Sequence, residues 1–111
     1  MAYLRKEKET IEIEQPICTI WSAIQEALRS MDWIIEEVDS ETHHAKAKTK
    51  SNFMSYGSVI LVDACYVDKK TTRIMVSAET PVTTITSVFD FGRTRDRIDL
   101  FLQQLSKQLA T

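Results

Sequence analysis

The chain has 111 residues, 43% of them hydrophobic and 27% charged, with a net charge of −2. That suits one globular domain, so a single domain over residues 1–111 is expected. The slight acidity argues against a bulk electrostatic drive toward nucleic acid, two glycines are too few for a glycine-rich phosphate loop, and two cysteines are too few for a disulfide framework.

Residues 3–14 predict a first strand. Ile11 and Ile13 alternate with Thr10, Glu12 and Glu14, the period of a half-buried strand. The earlier half is charged on both faces, which predicts an exposed or frayed end. No apolar run there reads as a secretory signal, and no stretch nears the ~20 residues needed to span a bilayer, so the expected compartment is the cytoplasm.

Residues 16–31 predict a helix, with Pro16 at its first position, where a missing N–H costs nothing. Ile17, Ile20, Trp21, Ile24, Leu28 and Met31 form its apolar stripe. A second strand is expected at 33–38 and a turn at 39–42. The third strand, 43–50, alternates: Ala45, Ala47 and Thr49 face one way, His44, Lys46, Lys48 and Lys50 the other. After a connection at 51–55, residues 56–67 predict a fourth strand. Val59-Ile60-Leu61-Val62 is apolar on both faces, so this strand should be central or covered on both sides. A turn at 68–70 leads to a fifth strand at 71–79. Residues 80–90, interrupted by Pro81, fit no class. Asp90 is an expected N-cap for a last helix over about 92–109, with Ile98, Phe101, Leu102, Leu105 and Leu109 as its stripe.

The expected fold is therefore α+β, in the order β-α-β-β-β-β-α. Short connections favour antiparallel pairing. A curved sheet should carry both helices on one face, the last lying across it like a bar in a grip.

Four stretches carry a resemblance: Pro16 to Trp21, the turn Asp39 to Thr42, the segment Phe53-Met54-Ser55-Tyr56-Gly57, and Asp90-Phe91-Gly92-Arg93. In these the chain resembles a set of small bacterial domains. In element order it resembles the helix-grip architecture of START-type and birch-allergen-type lipid-binding domains, and the small domains of the outer-membrane assembly lipoprotein BamC. The resemblance implies the fold and a small apolar groove, and it implies no catalytic activity. Two features depart from it. His43-His44 follows the turn where glycine is the commoner choice, and the long insertions that enlarge the cavity of lipid carriers are missing.

Candidate site residues emerge from these placements. Arg93, Arg95 and Arg97 crowd the start of the last helix, where cations are disfavoured, so they predict either an anion site or pairing with acids on a solvated face. Trp21, Trp33, Phe53, Tyr56, Phe89 and Phe91 are candidates to line a groove between the last helix and the sheet, against the alternative of an ordinary core. Val82, Ile85 and Val88 are candidates for an association surface. His43 and His44 point to opposite faces and cannot chelate one ion together. Cys18, in the first turn of a helix, and Cys65 are residual nucleophile candidates. The Lys46, Lys48 and Lys50 stripe reads as an exposed or edge-protecting face.

The expected function is a non-enzymatic binding or interaction module that self-associates or meets a protein partner. The alternative is a carrier holding an amphipathic or anionic ligand, its head at the arginines. An enzyme is a residual reading. No cofactor, metal or nucleic-acid partner is expected, and no transmembrane segment.

Overall fold

The computed structural model describes residues 3–49, 58–82 and 93–110, of which 3–5, 81, 82, 93 and 94 are described by backbone alone. The elements are β1 (Tyr3–Ile13), α1 (Ile17–Ser30), β2 (Ile34–Asp39), β3 (His44–Lys48), β4 (Val59–Asp68), β5 (Thr71–Val82) and α2 (Arg93–Ala110). The predicted connection at 51–55, the unclassified stretch from 83 to 90 and the Asp90 cap lie outside the described residues.

The five strands form one antiparallel sheet in the order β1-β5-β4-β3-β2. β4 takes the middle, as its two-sided apolar run predicts. It is covered on one side only: Ile60, Val62 and Ala64 are buried, while Val59, Leu61 and Asp63 are half-buried on the other face. Its apolar character reflects a central position rather than two covering layers.

Strand pairing decides two further expectations. Of the two outcomes expected for the charged half of β1, exposed or frayed, it is exposed: Lys6 and Lys8 reach solvent while the backbone pairs with β5 from Tyr3 to Ile13. Backbone pairing holds a charged segment whose side chains reach solvent; Lys6 also pairs across to Glu79 at 3.7 Å. The expected end of β5 at Glu79 is corrected: the strand runs on through Pro81 to Val82. Pro81 pairs with Leu4 of β1, beyond the Val59–Glu79 pair where the described β4 ladder ends; proline is tolerated in a strand where no ladder bond needs its N–H.

The core forms between one sheet face and the helices. Ile20, Ile24 and Leu28 of α1 and Ile98, Phe101 and Leu105 of α2 meet Ile60, Val62, Ile74 and Val76 of the sheet. α1 begins one residue later than predicted: Pro16 is the N-cap, extended at φ −62° and ψ 150°, and its carbonyl accepts the Ile20 N–H at 3.0 Å. Thr72 hydroxyl donates to the Gln15 carbonyl at 2.8 Å, fastening β5 to the link into α1.

The β2–β3 turn is held by Asp39, which accepts the N–H groups of Glu41 (2.9 Å) and Thr42 (3.3 Å). Those bonds hold its carboxyl below the ordinary value of 3.8. The turn ends at His43 with φ 55°, the left-handed conformation in which glycine is usual.

Candidate functional site

The helix-facing side of the sheet carries small residues among its branched ones. Ala45, Ala47, Ala64 and Ala78 are all buried there. Register places Ala47 beside Ile60, and Ile60 beside Ala78, as one row across three strands. The next positions along the same face are Thr49, Ser58 and Thr80, and these three hydroxyl residues are buried as well. Buried hydroxyls need partners. Ser58 N–H donates to Thr49 Oγ1 at 2.7 Å, and Thr49 N–H returns a bond to the Ser58 carbonyl at 2.9 Å. Ser58 Oγ and Thr80 Oγ1 are hydrogen-bonded to each other.

Arg97 of α2 reaches this row and donates to Ser58 Oγ. Its position is set by the helix: Ile98 and Phe101 are locked into the core, which turns the neighbouring Arg97 toward β4 and β5. A guanidinium over a row of hydroxyls, next to the Ala47–Ile60–Ala78 row, carries several hydrogen-bond donors.

The three arginines do not act as one cluster. Arg95 turns the other way, to Glu9 of β1 (3.0 Å) and Asp99 (3.3 Å). Its hydrogen bond to Glu9 raises its pKa above the ordinary arginine value. Residues two apart on a helix point some 200° apart, which separates Arg95 from Arg97. Arg93 opens α2 and is described by its helical backbone.

Among the predicted aromatics, Trp21 is buried on α1. Its Nε1 donates to Ser40 Oγ at 3.2 Å, and its ring meets His43 edge-on at 5.4 Å between centroids and 77° between planes. Trp33 packs against the core. Phe53, Tyr56, Phe89 and Phe91 lie outside the described residues, as do Ile85 and Val88; the Val82 backbone pairs with Tyr3 at the end of β5. Between α2 and the sheet, Ile98, Phe101 and Leu105 fill the contact with side chains.

The opposite sheet face holds features that pattern reading missed. His44 Nδ1 lies 2.7 Å from Asp63 Oδ1, across the β3–β4 pair. Arg73 donates to Glu12 Oε2 through Nε (3.0 Å) and Nη2 (2.8 Å). A hollow of about 410 Å³ there is lined by Lys6, Lys8, Leu61, Met75, Ser77 and Glu79. Register would have exposed these pairs, but register depends on turns and bulges that the alternating pattern does not specify. Cys18 is exposed on α1 and Cys65 half-buried on β4. No group of three metal-ligating side chains occurs among the described residues, and no described helix is long and apolar enough to cross a membrane.

No protein-family model matches the chain, and no curated protein does. Solved structures match it by shape. Norcoclaurine synthase from Thalictrum flavum superposes with a TM-score of 0.75 at 11% identity, covering 98% of this chain and 88% of that one. Ara h 8.0201 gives 0.65 at 9%, covering 98% and 100%. The Zhui aromatase/cyclase of Streptomyces sp. R1128 gives 0.60 at 11%, covering 96% and 88%. The expectation of a non-enzymatic module is thereby corrected. It rested on the element order and on the lack of a catalytic constellation in the sequence, and the same fold is carried by a synthase and by an aromatase/cyclase. At these identities the likeness establishes architecture and not activity. In fold, the chain is a small helix-grip domain, the architecture it shares with these three structures.

Proposed function

We propose that the protein binds a small amphipathic molecule on the helix-facing side of its sheet, with the polar or anionic head at Arg97, Ser58 and Thr80. The observation that carries this reading is the Arg97 guanidinium donating into a buried hydroxyl row. A surface arginine needs no such row, and an ordinary core would fill these positions with apolar side chains. The fold supports the reading: norcoclaurine synthase has been solved with dopamine and hydroxybenzaldehyde, at a TM-score of 0.72 to this chain.

Anilinonaphthalene sulfonate, an aromatic anion whose fluorescence rises in apolar surroundings, tests it. Saturable one-to-one binding is expected, and Arg97→Met should weaken it by about tenfold or more, the scale of a lost charge-assisted hydrogen bond. Arg97→Lys should fall between the two. An unchanged dissociation constant in Arg97→Met, with an unchanged urea midpoint, removes the site. Native mass spectrometry of the purified chain then looks for a carried molecule of a few hundred daltons, and incubation of that molecule shows whether it leaves altered.

A further inference from the structure

β2 is the most exposed element of the fold. All six of its residues are exposed, including Ile34 at 54%, Ile35 at 39% and Val38 at 46%. Among the described residues it is an edge strand, paired on one side to β3 and on the other to none of them, the arrangement that leaves backbone groups open to a further strand. The helices lie elsewhere, α2 against β5 and β1 and α1 against β4 and β5. Ile35 and Val38 are opposite Ala47 and Ala45, so both project on the helix side of the sheet; the bulge between Ile35 and Glu37 puts them there together.

Charge decides what can cover this edge. Residues 32–42 carry Asp32, Glu36, Glu37, Asp39 and Glu41, with no lysine or arginine, in a chain of net charge −2. Lys46 lies 4.0 Å from Glu36. Full-length antiparallel pairing of β2 with its copy would set Glu36 against Glu37 at both symmetry-related positions, and like charges directly opposite are destabilising. A second copy is therefore a poor occupant. A basic extended segment suits it, with apolar residues over Ile35 and Val38 and lysine or arginine beside Glu37.

We propose that β2 is an acceptor edge for a basic, extended segment of a partner protein, which adds to the sheet as a sixth strand. The acidic residues serve both ends: they reject self-pairing and select the partner.

The test uses the whole chain and two fluorescent hexapeptides, one alternating lysine and valine, the other glutamate and valine. The basic peptide should bind, weaken as salt rises, and protect β2 backbone amides from hydrogen exchange. The acidic peptide should not bind. Glu37→Lys, an exposed change that leaves the core untouched, should weaken the basic peptide about tenfold. Equal binding of both peptides, protection outside β2, or indifference to Glu37→Lys overturns the proposal. So does sedimentation showing a dimer that protects β2. Arg97→Met should leave peptide binding unchanged, which separates this edge from the ligand site.

Discussion

His43 shows how one residue reconciles a strained backbone with a packed neighbour. Its φ of 55° costs a non-glycine residue roughly 1–2 kcal/mol. The edge-on contact with Trp21 returns about 0.5–1.5 kcal/mol, and the His43 carbonyl accepts the Ala64 N–H at 2.9 Å, tying the turn to β4. Replacing it therefore has opposite components. His43→Ala loses the ring contact and keeps the backbone cost, so a loss of about 1–2 kcal/mol is expected in urea unfolding. His43→Gly loses the same contact and relieves the backbone, so it should be close to neutral. Equal losses in both variants would show that the backbone cost is not felt at this position. The departure from glycine was visible in the sequence, but the tryptophan that offsets it is twenty-two positions away and becomes a neighbour only in the fold.

At the scale of elements, strand alternation was legible and strand limits were not. Ala45, Ala47 and Thr49 were assigned to one face of β3 by period alone, and all three are buried. The end of β5 was misjudged because proline breaks a strand only where its missing N–H would face a partner, and which partners a position has is a property of the sheet. The same alternation predicts a contrast between adjacent residues. Ala78 is buried beneath the helices, whereas Ser77 is half-buried on the open face. Ala78→Leu overfills the alanine row and should cost about 1–3 kcal/mol, while Ser77→Leu should change stability by less than about 0.5 kcal/mol. Similar losses in chemical denaturation at the two positions would contradict the one-sided layering.

For the whole molecule, α2 acts as the clamp that completes the core. Phe101 is fully buried among α1 and sheet residues, and its neighbour Leu100 is half exposed. Phe101→Ala should cost about 3–5 kcal/mol, a large part of the 5–15 kcal/mol typical of a domain. Leu100→Ala should stay within about 0.5 kcal/mol. Both are read from urea midpoints at constant slope. If Phe101→Ala were as mild as Leu100→Ala, α2 would be an appendage and the site it carries would have no fixed frame.

The element order, the single layer of helices and most of the core were determined by the sequence itself, because hydrophobic periodicity reports which side of a helix or strand leaves water. The candidate site was only partly legible. Arg97 stood out as a misplaced cation at a helix start, but nothing local distinguished it from Arg95. Their separation came from packing: Ile98 and Phe101 lock the rotation of α2, and that rotation sends one arginine to the hydroxyls of Ser58 and Thr80 and the other to Glu9. Thr49 follows β3, Ser58 precedes β4 and Thr80 lies on β5, and the exposed edge of β2 depends on which strand ends the sheet. Such groupings join residues far apart in the chain, so the tertiary structure alone decides them.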